Sequence, residues 1–210
     1  METSISHITE RIEEEKKKLQ LLLDGLHTKE QRLRALTRYF SIIHPHFISL
    51  CSYMQNSVTH ASAEYAAYDN ISLELAENHQ YMLYLFMKQF GVSYDAKEYA
   101  ALIPIMHNIM TVLARGIPTH EGAAACLVIY MMEELSKVFI QWMQIMAVDE
   151  GFKNLEYTKK HGEADEQHAA LALIAFKNEY DDMSVSGQTS EIDALFEQVI
   201  LLFSKIFAPV

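Results

Sequence analysis

The stretch "YTKKHGEADEQHAALAL", residues 157 to 173, sets His161, Asp165 and His168 at steps of four and then three residues, within what reads as a single helix. On a helix advancing roughly 100° per residue these positions fall within an arc of roughly 60°, so two imidazoles and a carboxylate converge on one side. Neutral imidazole and carboxylate together are the donor set of non-haem iron or a similar divalent metal, whereas thiolates would point to zinc or an iron–sulfur cluster. The competing reading is a merely hydrated face, because "HGEADEQH" is polar at nearly every position.

A metal centre in a helical protein needs donors from other helices. Glu133 and Glu134 lie in "LVIYMMEELSKVFIQW", where an unpaired carboxylate is expensive to bury; one of the two can face solvent, so spacing leaves the choice open. His79 stands in "LELAENHQYMLYLF" with Glu74 and Glu77 nearby, at an apparent junction between two helices, where a capping role competes with a ligand role. Carboxylates from two helices and histidines from two helices, all pointing inward, are how carboxylate-bridged dinuclear sites are built in bundles.

The rest of the chain supplies such a bundle. With 210 residues, 50% of them hydrophobic, it can bury a full core as one domain, residues 1–210. Only 7 Gly and 4 Pro punctuate it, too few turn signals for a many-stranded protein, so the expected class is all-α with about seven helices. Helices are expected over about 5–24, then from Thr28 across a kink at Pro45, and over about 59–76, 79–90 and 94–115. Further ones are expected over about 119–148, 153–178 and 190–207. Thr28 with Gln31 has the spacing of a capping box, "RGIP" should stop the helix ending near 115, and "DDMSVSGQTS" reads as a turn before the last helix.

The net charge of -11 argues against nucleic acid and against an anionic membrane surface, both of which need clustered Lys and Arg. The longest apolar run, "CLVIYMMEELSKVFIQWMQIM", is interrupted by Glu133, Glu134 and Lys137, and the N-terminus lacks the apolar core of a signal peptide. Cys51 and Cys126 show no pairing framework and read as buried thiols. These features make a cytoplasmic protein the expectation, with long helices that allow a homodimer.

The set of motifs resembles the haem-oxygenase-like diiron oxidases, and among them the CADD-like proteins of the TenA/PqqC-like fold. These carry a Glu and a His around a helix junction, one Glu in a later helix, and then His-x3-Asp-x2-His. "HGEADEQHA" is similar to the last element, "LVIYMME" to the middle one, and "DNISLELAENHQYMLYLFMKQFGV" to the first. The likeness extends to "GLHTKEQRLRALTRYF" and covers about residues 25 to 175. It selects Glu133 over Glu134 and Glu74 over Glu77, implying a ligand set of Glu74, His79, Glu133, His161, Asp165 and His168. It further implies two iron ions, or a manganese–iron pair, that activate dioxygen to oxidise a small organic substrate. Two ferrous ions bring four positive charges against three from the carboxylates, a nearly neutral reduced site.

Two departures qualify the resemblance. The family separates its first Glu and His by six residues, whereas four lie between Glu74 and His79, so a straight helix would set them about 140° apart. Either the backbone breaks there or Glu77 takes the role. CADD-like proteins that make p-aminobenzoate use a sacrificial Tyr and a nearby Lys, and here Leu19 and Met143 stand at those places, so that chemistry is not carried over. Tyr81, Tyr84, Phe86, Tyr130 and Trp142 read as core rather than specificity elements.

Two other classes fit parts of the chain. TenA-like thiaminases share the fold, hydrolyse aminopyrimidines without metal, and use a Cys nucleophile. Cys126 with Tyr130 is similar to their Cys-x3-Tyr, and Glu197 stands where an acid could serve, although no activating base is visible beside Cys126. A non-catalytic helical interaction protein is the remaining alternative.

Overall fold

The computed structural model describes residues 2–115, 121–181 and 189–209, and every element formed there is an α-helix. In chain order these are α1 (Glu2–Asp24), α2 (Lys29–Ile42), α3 (Phe47–Ser57), α4 (Ala61–Ala76), α5 (His79–Gln89), α6 (Ala96–Arg115), α7 (Glu121–Asp149), α8 (Glu156–Asp181) and α9 (Thr189–Phe207). The all-α class is as expected. The helix count is nine among the described residues, against an expectation of about seven whose ranges number eight. One reason is that the chain does not bend through Pro45: α2 ends at Ile42 and α3 begins at Phe47, so a proline taken for a kink is a break. Thr28 does close a capping box with Gln31 at the start of α2. The "GIP" of the expected stop signal, and nearly all of the turn before α9, lie outside the described residues.

The helix α7 is the axis. From Ala123 to Leu135 every residue is buried, the pattern of a helix enclosed on all sides. Its most extensive partner is α8, with α1, α3 and α9 around the remainder, while α8 also packs along α4. The outer helices show one-sided stripes instead. In α9 Ile192, Leu195, Phe196, Val199, Leu202, Phe203 and Ile206 are buried at three- and four-residue steps. Polar clamps set how these helices meet. Arg38 of α2 donates to Glu98 of α6 at 2.7 Å and to the carbonyls of Lys205 and Ala208 at the end of α9.

Two further contacts fix the frame of the site. Glu179 of α8 accepts from the backbone N–H groups of Thr59 and His60 at 2.6 and 2.7 Å, satisfying donors that the start of α4 would otherwise leave orphaned. Its carboxylate fits only because residue 122 in α7 is glycine, since a Cβ there would overlap it. In α1, Lys16 stands in the stripe of Ile8, Ile12 and Leu19 and reaches Glu134 of α7 at 2.7 Å, while Lys137 holds the other Glu134 oxygen at 2.6 Å. Burial alone would raise the Glu134 carboxyl, but these two lysines hold it below its ordinary value.

A folded carboxyl held low contributes stability that is complete above its unfolded value and lost as pH falls through the folded one. Glu134→Gln is therefore expected to cost about 1–3 kcal/mol at pH 7. In urea unfolding the gap to the parent should hold down to about pH 5 and close below it. An undiminished gap at pH 3, or none at pH 7, would contradict this role.

Candidate metal centre

Four helices and one helix junction bring the site together. On α8, Tyr157, His161, Asp165 and His168 follow one face; on α7, Glu133, Ser136 and Ile140 do the same; Glu74 comes from α4 and His79 opens α5. The difficulty of Glu74 and His79 is resolved by the backbone. The helix stops at Glu77, and Asn78 takes a left-handed conformation (φ 55°, ψ 45°), the one positive φ among the described non-glycine residues. That break turns His79 back, so that its Nδ1 lies 3.1 Å from Glu74 Oε1. A residue held in this region at a site is strain that the surroundings must support.

The six residues form two groups of three. Glu74, His79 and His161 make one, and Glu133, Asp165 and His168 the other; within each group the donor atoms lie within 4.8 Å of one another. In the first group His161 Nε2 is 3.9 Å from Glu74 Oε1. In the second His168 Nδ1 is 3.6 Å from Glu133 Oε1. The groups adjoin through α8, where His161 Nδ1 is 3.0 Å from Asp165 Oδ1; within the first group the rings of His79 and His161 are 4.4 Å apart. Glu74, His79, Glu133, Asp165 and His168 are all buried.

The chemistry of this donor set fits a divalent metal. Glu133 Oε1 and Asp165 Oδ2 are buried without any hydrogen-bond partner, a costly state for carboxylate oxygens unless a cation completes them. Burial, and then the neighbouring Asp165 and Glu74 carboxylates, push the Glu133 carboxyl well above its ordinary range. Burial draws His168 down, keeping its imidazole neutral as a ligand requires. Burial also pulls on His79, yet its contacts with Glu74 and Glu77 prevail and hold its imidazolium above the ordinary value.

The neighbouring carboxylates lie elsewhere. Glu134, 8% exposed, turns to Lys16 and Lys137 on the far side of α7. Glu77 meets His79 Nε2 at 3.3 Å and pairs with Lys160 at 2.9 Å.

A cavity opens beside the two groups, lined also by Tyr39, Ile43, His44, Phe47, Gln80 and Leu83. Its volume is about 40 Å3, room for very small molecules. The Tyr39 hydroxyl lies 3.4 Å from Ser136 Oγ there, and burial holds the Tyr39 and Tyr157 phenols protonated. Tyr157 was legible in hindsight, one helical turn before His161; Tyr39, His44 and Ser136 carry no sequence signal of a site. Of the aromatic residues expected in the core, Phe86 and Tyr130 are buried and Trp142 packs against it, but Tyr81 and Tyr84 are surface residues, 53% and 43% exposed. Their polar tips let this face of α5 meet water, which hydrophobic content alone does not reveal.

Cys51 and Cys126 are both free and buried. Burial, with the Glu179 charge beside it, raises the Cys126 thiol far from a thiolate, and Glu197 is exposed and paired with Arg11. The hydrolase constellation is therefore not assembled around Cys126.

The chain belongs to the haem-oxygenase-like iron-containing redox enzymes: the profile of a family described as "Iron-containing redox enzyme" matches residues 34–198. The match takes in all six residues of the two groups. It makes the chain a redox enzyme of an iron-using family. No curated protein and no solved structure matches it. None of the described helices is long and apolar enough to cross a membrane.

The break at Asn78 can be tested without metal. Asn78→Gly should leave stability within about 1 kcal/mol of the parent, because glycine adopts the left-handed region freely, while Asn78→Val should cost about 1–2 kcal/mol more than the glycine variant. Equal urea midpoints for the Gly and Val variants would mean the left-handed turn is absent in solution.

Proposed function

We propose that this protein is a non-haem diiron oxidase or oxygenase, in which Glu74, His79 and His161 hold one metal and Glu133, Asp165 and His168 the other. The observation that carries this reading is the pair of three-donor groups side by side, with two buried carboxylate oxygens left unpartnered between α7 and α8. Bound there, two iron ions, or manganese with iron, would supply the means to activate dioxygen.

The protein's own share is arrangement and exclusion. Three carboxylates against four metal charges leave a nearly neutral centre, which is tolerable in an interior that would not accept the acids alone. Three ligands per metal leave coordination positions free on the cavity side. Among the described residues the cavity lining contains no Lys or Arg to pair with an anionic substrate; a compact, mostly apolar molecule matches Ile43, Phe47, Leu83 and Ile140. Tyr39, Tyr157 and Ser136 offer hydroxyl donors beside it, and the buried phenols keep their protons at neutral pH. His44 donates Nε2–H to the Gln80 carbonyl at 3.1 Å, and burial keeps its ring neutral. From the CADD-like likeness only the ligand positions enter this reading, since Leu19 and Met143 are buried apolar side chains.

Anaerobic loading with ferrous iron should give up to two irons per chain and oxygen uptake faster than that of free iron. Glu133→Ala should remove at least one iron and the oxygen uptake, because the centre loses an anionic ligand. Glu134→Ala, altered on the opposite side of α7, should keep both irons. A parent protein with intact helical circular dichroism that binds no iron would sink the proposal.

A further inference from the structure

Each histidine of the site has two nitrogens, and the structure places a different carboxylate near each. His79 turns Nδ1 to Glu74, a member of its own group, and Nε2 to Glu77 at 3.3 Å. His168 turns Nδ1 to Glu133, again of its own group, and Nε2 towards Asp69 Oδ2 at 3.8 Å. His161 is reversed: Nε2 faces Glu74 of its own group, while Nδ1 lies 3.0 Å from Asp165 Oδ1 of the other. A metal held among the three donors of a group takes the nitrogen that faces inward, which leaves the outward nitrogen to carry the proton. At His79 and His161 that nitrogen meets a carboxylate at hydrogen-bond distance; at His168 the Asp69 oxygen stands at 3.8 Å, within ion-pair reach and beyond a direct hydrogen bond.

We propose that Glu77 and Asp69 are positioning residues, one for each metal, that hold His79 and His168 as Nδ1 ligands by accepting their Nε2 protons, while Asp165 does the same for His161 through Oδ1. The inference rests on the dinuclear reading above. Such outer carboxylates fix the tautomer and ring orientation of a ligating histidine and raise its basicity. The two outer residues are themselves held, and by equivalent means. Lys160, directly before His161 on α8, donates to Glu77 Oε2 at 2.9 Å. Gln167, directly before His168, donates to Asp69 Oδ2 at 3.3 Å. Both outer carboxylates come from the α4 segment that carries Glu74, at the rim, with side chains 37% and 23% exposed. Asp165 has a double part: its Oδ1 takes the His161 proton, and its unpartnered Oδ2 remains for the second metal. Glu77 is thereby excluded as a ligand of the first metal, because it meets the nitrogen of His79 that points away from Glu74 and His161.

The test uses the full chain loaded with diamagnetic zinc and labelled with 15N-histidine. Long-range proton–nitrogen correlation spectra should show the proton on Nε2 of His79 and His168 and on Nδ1 of His161. Competition for cobalt(II) against a chromophoric chelator should show Glu77→Ala and Asp69→Ala each weakening one of two sites by about 10–100-fold. Glu77→Gln and Asp69→Asn, which keep an accepting oxygen, should recover most of that loss. A proton on Nδ1 of His79 or His168, or affinities in both alanine variants equal to the parent's, overturns this inference while leaving the dinuclear reading in place. Loss of one whole metal equivalent from Glu77→Gln would make Glu77 a ligand and overturn it as well. A parent that binds no second metal brings down both.

Discussion

Three carboxylates enclosed in an apolar bundle set the terms for everything else in this protein. Glu74, Glu133 and Asp165 each cost free energy to bury, and their mutual repulsion adds to it. The surrounding helices must therefore be held in register by contacts independent of the site. The enclosure of α7, the pairing of α8 with both α7 and α4, and the Arg38 and Lys16 clamps supply that register. The result is a scaffold whose outer polar pairs stabilise it and whose inner polar groups are left short of partners. Rigid helices rather than loops position the donors, which is what a site needs if its ligands are to stay within a fraction of an ångström.

Much of this arrangement could be read from the chain. Steps of four and three at His161, Asp165 and His168 place them on one face of any helix, and α8 is a helix there. The choice between Glu133 and Glu134 came from likeness to a family, not from periodicity, since both lie in one apolar run. The structure supplies the physical reason for the separation: Lys16, on α1 and 118 positions before Glu134 in sequence but adjacent in space, gives Glu134 a partner outside the cavity. No local pattern announces such a long-range pair.

The break between Glu74 and His79 was harder. A spacing that fails on a straight helix admits either a kink or a change of ligand; the backbone does break, at Asn78, which tolerates the left-handed region better than most residues do, and the break brings His79 to Glu74. The cavity wall was not legible at all. Tyr39 and His44 come from α2 and the turn after it, more than a hundred residues before His161, and become neighbours only when α2 is packed against the axis. At Pro45 the residue type was informative, but its effect, a break instead of a bend, depended on tertiary packing.

Gly122 and Glu179 are bound to one another by volume. The carboxylate that caps α4 occupies the space where any larger residue at 122 would place its Cβ. Neither position can therefore drift alone: a side chain at 122 must evict Glu179, and without Glu179 the backbone donors of Thr59 and His60 lose their acceptor. The two residues therefore act as one unit of volume in the packing of α7 against α8, although they stand 57 positions apart in the sequence.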